Sequence, residues 1–193
     1  DGTQYTQGNA LGDGTVVYVA AAAGAGSVTD SYSTAAGTLY YYQIFPYKYD
    51  GTAAHATYNY RTAATIPEAS ATTGSSEPGT SSTILSFVPA SSATATITWT
   101  NSGTADGTII LVKSGSAVDS NPADWTNYTA STTFAGGAQI GTGNYVVYAA
   151  SGSSGNVTVS GLSAGTTYHT ALYPYNGSGT LLNYRTTSPA TGS

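Results

Sequence analysis

Two stretches of this chain carry the same pattern, and any fold it adopts must accommodate both. The later copy runs Leu162-Ser163-Ala164-Gly165-Thr166-Thr167-Tyr168 and on through His169-Thr170-Ala171-Leu172-Tyr173-Pro174-Tyr175. The earlier copy runs Ala36-Gly37-Thr38-Leu39-Tyr40-Tyr41-Tyr42-Gln43-Ile44-Phe45-Pro46-Tyr47. Gly37 matches Gly165, Tyr40 matches Tyr168, and Pro46-Tyr47 matches Pro174-Tyr175. Asn59-Tyr60-Arg61-Thr62 returns as Asn183-Tyr184-Arg185-Thr186, and Gly14-Thr15-Val16-Val17-Tyr18 returns as Gly143-Asn144-Tyr145-Val146-Val147-Tyr148 with one insertion. Asp1-Gly2-Thr3-Gln4-Tyr5 lines up with Asp124-Trp125-Thr126-Asn127-Tyr128. An internal repeat of this kind organises a chain.

Both copies read as a turn feeding a strand. Ala-Gly supplies the bend, since glycine tolerates positive φ, and β-branched and aromatic residues follow. Alternation places Tyr168, Thr170 and Leu172 on one face and His169, Ala171, Tyr173 and Tyr175 on the other. In the first copy, strands are expected at Val16–Ala20, from Ser27, over Thr38–Tyr47 and over Ala56–Thr62, with a hairpin turn at Tyr49-Asp50-Gly51. Residues 64–82 are rich in Ser, Thr, Ala, Gly and Pro. They read as an exposed linker with no apolar face. The second unit, 83–193, opens with a strand carrying Ile84, Phe87 and Val88. Thr94–Thr100 alternates with Ala95, Ile97 and Trp99 facing the core, and Thr108–Lys113 is a continuous apolar run suited to a central strand. A long excursion over 114–142 separates these from strands at Tyr145–Ala149, Asn156–Ser160, Thr166–Tyr175 and Leu181–Thr186. No stretch carries a capped helical stripe.

The inward Trp99, the Leu-x-Ala-Gly-Thr-x-Tyr at 162–168 and the Tyr-x-Tyr-Asn-Gly exit at 173–177 resemble a fibronectin type III-like sandwich. Tyr168 stands where immunoglobulin-like sandwiches place their tyrosine corner. The Gly-x-Gly-x-x-Val-Val-Tyr and Asn-Tyr-Arg-Thr elements resemble tandem repeats of secreted bacterial surface proteins. The resemblance covers 83–193, and it covers 1–63 only from the middle of a domain onward. It implies an all-β protein of two sandwich units, the N-terminal one incomplete and completed by another chain or by upstream sequence.

The asymmetry has an energetic consequence. Residues 83–123 have no counterpart before Asp1, so the first unit lacks the strands equivalent to 84–88, 94–100 and 108–113. Val16, Val28, Tyr40, Tyr42 and Ile44 would then face water, at about 25 cal/mol per Å² of apolar surface, and strand edges would lie open. Three arrangements remove the difficulty: a window cut from a longer array, strands supplied by another chain, or a smaller sheet packed on the second unit. A heterologous contact that does not close produces a filament. The expectation is a structural subunit of an extracellular filament or surface array, a homopolymer assembled by strand complementation. The alternative is a carbohydrate-binding or spacer module of a secreted adhesin or enzyme. The seven tyrosines from Tyr40 to Tyr60 serve either reading, since tyrosine joins a flat apolar face to a polar tip. Tyr41, Phe45 and Tyr47 form the outward set, as interface or ligand contacts.

Composition narrows the chemistry. Only 7% of residues are charged, and four basic side chains give no electrostatic footprint for nucleic acid. No apolar run approaches a membrane span. With no Cys, there is no disulfide framework, thiolate metal site or Cys nucleophile. The lack of Met, even at residue 1, suggests a processed or excised piece with a preceding signal peptide. Abundant Ser, Thr, Gly and Tyr with few charges fits an extracellular or cell-surface location.

His55 and His169 read as surface residues, no Gly-x-Ser-x-Gly elbow stands on a strand-to-helix turn, and Glu68 and Glu77 lie in the linker. No enzyme and no cofactor is therefore expected. Asp119, Asn121 and Asp124 offer oxygen ligands, but no twelve-residue loop pattern supports a calcium site. Asn127, Asn156 and Asn176 each begin an N-glycan acceptor triplet, with Asn176, in a turn, the most accessible. Thr72, Thr73, Ser75, Ser76 and Thr80 are candidate O-glycan sites on a stalk-like segment.

Overall fold

Alternating and apolar segments become strands throughout. The computed structural model describes residues 2–20, 24–32, 34–49, 58–62, 65–152 and 154–193. The protein is all-β. Its strands are β1 (Ala10–Leu11), β2 (Gly14–Thr15), β3 (Leu39–Gln43), β4 (Tyr47–Lys48), β5 (Asn59–Tyr60) and β6 (Glu68–Thr72), then β7 (Thr83–Pro89), β8 (Ala95–Thr100), β9 (Gly107–Ser114) and β10 (Gln139–Ile140). There follow β11 (Asn144–Ser151), β12 (Ser154–Val159), β13 (Tyr168–Asn176), a 3₁₀ turn at Gly179–Leu181, β14 (Asn183–Tyr184) and β15 (Ala190–Gly192). The chain divides into two units, Asp1–Thr73 and Gly74–Ser193.

The second unit holds two antiparallel sheets. One has the order β12-β8-β7; the other runs β10-β11-β9-β13-β14, with β15 also on β13. Ala95, Ile97 and Trp99 of β8 are buried, as alternation predicts. Ile97, Trp99, Val157 and Val159 from the smaller sheet join Ile110, Val112, Val147, Tyr168 and Leu172 from the larger in one cluster. Each such side chain contributes about 1.5–3 kcal/mol on full burial. The apolar run of β9 is central, flanked by β11 and β13. Its even positions enter that cluster, while Ile109 and Leu111 enter a second one with Val146, Ala171, Tyr173, Tyr175 and Tyr184. The excursion explains why both faces are covered: Val118, Tyr128, Ala130 and Ala138 pack on this second cluster. The face holding His169, Ala171, Tyr173 and Tyr175, read from sequence as outward, is therefore largely buried, and His169 itself is half-buried.

The first unit is built differently. Its strands form three separate antiparallel pairs: β1 with β2, β3 with β6, and β4 with β5. Among its described residues, Tyr58 is the one buried hydrophobic side chain. Strands expected over Val16–Ala20 and from Ser27 do not form, whereas the aromatic strand appears as β3 and β4. The turn at Asp50-Gly51 and the start of the expected strand at Ala56 fall outside the described residues.

The expected linker, 64–82, is instead divided between the units. Glu68–Thr72 pairs along its whole length with Leu39–Gln43, and from Gly74 the chain belongs to the second unit. There Asn183 Nδ2 donates to the Ser75 carbonyl at 2.8 Å, and Arg185 Nη1 donates to the Pro78 carbonyl at 3.0 Å. All five β6 side chains are exposed. Backbone pairing holds this strand, so its side chains display no periodicity.

The repeat persists in the hydrogen bonds. The Ala35 N–H donates to the Tyr40 hydroxyl at 2.7 Å, and the Ser163 N–H to the Tyr168 hydroxyl at 3.0 Å. Tyr47 pairs with Tyr60 as Tyr175 pairs with Tyr184. The Arg61 N–H reaches the Pro46 carbonyl at 2.8 Å, and the Arg185 N–H reaches that of Pro174 at 2.9 Å. Gly2 to Tyr58 and Trp125 to Leu182 match in the same way, at 2.6 and 2.8 Å, as do Gly8 to Val16 and Ser131 to Val146, at 2.8 and 3.1 Å.

Candidate assembly surface

These correspondences allow burial to be compared position by position. Ile44 is 66% exposed, while its counterpart Leu172 is fully buried. Val28, whose Val-Thr dipeptide returns as Val157-Thr158 between the matched segments, is 47% exposed, and Val157 is 7% exposed. Val16 is half-buried against a fully buried Val146, and Phe45 half-buried against a buried Tyr173. Tyr40, Tyr42 and Tyr47 are half-buried, and Tyr41 is 68% exposed. The eight residues singled out from sequence all lie in the first unit, and none of them is buried.

The contrast follows from what covers each cluster. In the second unit, Leu172, Tyr168 and Val147 meet Ile97, Trp99, Ile110 and Val112, which come from β8 and β9. No described strand of the first unit takes those places. The other face keeps local partners. Tyr47, Tyr49, Tyr58 and Tyr60 contact one another through their rings, with Tyr49 and Tyr58 stacked at 4.4 Å, and Tyr5 meets Tyr60 edge-on at 5.5 Å. Their counterparts Tyr128, Tyr175 and Tyr184 form the same kind of group. Tyr42 donates to Asp30 Oδ2 at 3.1 Å; burial first, and then this carboxylate, raise its pKa.

Strand length tells the same story. β11 extends for eight residues with β9 along its flank. Its counterpart β2 is two residues long and pairs with β1 alone. Among the described strands, β3 is paired along one edge. The Ile44 N–H donates to the Pro67 carbonyl, and the Thr73 N–H donates to that of Thr38, so even positions point towards β6. Alternation turns the N–H and C=O of Leu39, Tyr41, Gln43 and Phe45 to the opposite edge. No described strand pairs there.

The other candidates resolve individually. Asn127 and Asn156 are exposed, as are Thr72, Ser76 and Thr80. Asn176 is not the most accessible acceptor: it is half-buried, its Oδ1 accepts from Asp106 N–H at 3.1 Å and its Nδ2 donates to the Ser76 carbonyl at 3.0 Å. Thr73 is half-buried, with its hydroxyl bonded to the Ala35 carbonyl and accepting from the Thr38 N–H, and Ser75 is also half-buried. Asp119 accepts from Lys113 Nζ at 2.6 Å and from Asn144 Nδ2 at 2.9 Å, contacts that hold its carboxyl below the usual range. Asn121 Oδ1 accepts from the Tyr173 hydroxyl and Asp124 Oδ1 from the Tyr184 N–H. These oxygens brace the excursion against β9, β11, β13 and β14. Among the described residues no group of three or more His, Cys, Asp or Glu is placed to hold a metal. His55 lies outside the described residues. Among the described residues no helix is long and apolar enough to cross a membrane.

No family model, no curated protein and no solved structure matches this chain.

Proposed function

We propose that the chain is a structural subunit of an extracellular filament or surface array. Its first unit is an incomplete fibronectin III-like sandwich, completed by another copy in a head-to-tail homopolymer. The observation that carries this reading is the exposure of Ile44 and Val28 where Leu172 and Val157 are buried. An uncovered sheet with an open edge is a template for association. Repetition of a contact between unlike surfaces extends without closing. The role is structural rather than catalytic, with no cofactor. Glycans on exposed Asn127, Asn156, Thr72, Ser76 or Thr80 would add the hydration that so few charges do not supply.

A carbohydrate-binding module is favoured less. The clustered tyrosines Tyr47, Tyr49, Tyr58 and Tyr60 spend ring faces on one another, which leaves Tyr41 as the most open ring of the outward set. Sedimentation velocity over a hundredfold concentration range, with negative-stain microscopy of the top sample, tests the proposal. Growth into fibres supports it; a single monomer species throughout refutes it. Retention of that monomer on polysaccharide would favour the binding module.

A further inference from the structure

We infer that residues 74–81 form a strap that unlatches from the second unit while both of that unit's sheets stay closed, with Trp125 as the latch. This holds whatever covers the first unit. Thr73 is tied to the first unit: its N–H donates to the Thr38 carbonyl at 3.0 Å, and its hydroxyl accepts from the Thr38 N–H. Gly74 already belongs to the second unit. No free residue separates the two while the strap is down. The strap ends at Ser82, which is buried and donates its hydroxyl to Asn101 Oδ1. Between these ends it belongs to neither sheet of the second unit. Side groups hold its backbone instead. Asn183 Nδ2 donates to the Ser75 carbonyl at 2.8 Å, Asn176 Nδ2 to that of Ser76 at 3.0 Å and Arg185 Nη1 to that of Pro78 at 3.0 Å. The Ser75 N–H reaches the Leu181 carbonyl at 3.5 Å, and the Gly79 N–H reaches the Thr104 hydroxyl at 3.2 Å. Of residues 74–81 only Pro78 is buried. Polar contacts near the surface open at lower free energy than a packed core.

Trp125 supplies what the strap lacks. Its φ is 62°, in the left-handed region that costs a residue with a Cβ and is open to glycine. The counterpart in the repeat is Gly2, at φ 75°. The turn itself therefore needs no large side chain. The indole is put to a different use: the edge of its six-membered ring lies on Gly74 and leaves no room there for a Cβ. Trp125 stays 50% exposed, so it covers the strap rather than joining the core. Asn59 and Arg61 of the first unit occupy the places of Asn183 and Arg185. They are exposed where the strapped pair is half-buried, which is the state that opening leaves behind. Opening turns a direct connection into a tether of eight residues, 74–81, with a reach of about 25–30 Å. The spacing between the units then changes without either sheet coming apart.

Native-state hydrogen exchange of the whole chain, from no urea to concentrations below unfolding, is the test. The Ser75 and Gly79 amides are expected to exchange about a hundredfold or more faster than those of Ile110 and Leu111 in the doubly paired β9. Their opening should show a shallow urea dependence, because little surface is exposed, against a steep one for β9. Trp125→Gly restores the residue of the other copy and leaves Trp99 as the sole tryptophan reporter. It is expected to speed exchange at Ser75 by about tenfold while the melting temperature read at Trp99 holds or rises, since backbone strain is relieved. A tryptophan that merely packs would lower both. Arg185→Gln is expected to speed exchange at Gly79 by a similar factor. A urea slope at Ser75 and Gly79 equal to that of β9 overturns the strap, as does exchange at the free-peptide rate in the unaltered chain. Unchanged exchange in both variants, or a fall in melting temperature with Trp125→Gly, overturns the latch.

Discussion

Ile44 and Leu172 occupy the same place in the repeat, and truncating each to Ala separates intrinsic from assembly-dependent burial. Leu172 is fully buried between two sheets. Leu172→Ala removes its transfer energy and leaves a cavity, at about 2–5 kcal/mol. For a domain of this size that lowers the melting temperature on the order of 10 °C. Trp99 lies in the same cluster, so its fluorescence reports the loss. Ile44 is 66% exposed, so only about a third of its burial can be lost in the dispersed chain. A full burial of about 1.5–3 kcal/mol then gives roughly 0.5–1 kcal/mol, small by circular dichroism. If assembly fills the places of both β8 and β9 over the first unit, Ile44 would be covered as Leu172 is, and its removal would cost what Leu172 costs. Each 1.4 kcal/mol is a factor of ten, so the critical concentration for Ile44→Ala should rise by about tenfold to several hundredfold. Pelleting assays across concentration read this directly. An unchanged critical concentration for Ile44→Ala would refute the argument, as would a dispersed-state loss equal to that of Leu172→Ala.

Other expectations follow from the second unit. Burial pushes Tyr173 up to about 12 and raises Tyr184 as well. The neutral phenol is the form the fold prefers, so its contribution is intact below the unfolded value near 10 and is lost as pH rises through the folded value. Tyrosinate absorbance should show a late fraction that ionises together with loss of the Trp99 signal; complete ionisation before unfolding would contradict this. Gly107→Ala sets a methyl 2.3 Å from the Tyr175 ring and 2.7 Å from the Ala150 carbonyl, and chemical denaturation should show a loss of about 1–3 kcal/mol. The Thr108 hydroxyl is buried with no hydrogen-bond partner among the described residues, so Thr108→Val should be neutral or stabilising by about 1 kcal/mol in the same assay.

Much of the second unit was legible in the sequence because its strands obey parity. Ala95, Ile97 and Trp99 announce a core face, and four consecutive aliphatics at 109–112 announce a strand buried on both sides. β6 was not legible: Glu-Ala-Ser-Ala-Thr has no apolar face, and only its backbone pairing with Leu39–Gln43 makes it a strand. The excursion was opaque for a related reason. Val118, Tyr128 and Ala138 are scattered among polar residues, and nothing local shows that they roof the face carrying Tyr173. In the first unit, Val16–Ala20 has the composition of a strand, yet among the described residues only Val16 finds strand-like backbone partners, Gly8 and Asn9, and no described strand flanks the rest. The proposed interface positions come from the repeat, in which the apolar positions are copied while their covering strands are not.

The central claim is that the inner face of the first unit is bare in the lone chain and sealed in the assembly. Hydroxyl-radical footprinting of Val28 and Ile44, with Val157 and Leu172 as internal references, measures it in one experiment. Strong labelling of Val28 and Ile44 in dispersed chain, falling to the level of Val157 and Leu172 in fibres, is the predicted result. Labelling of all four at the same low level in a chain that stays monomeric would contradict the account.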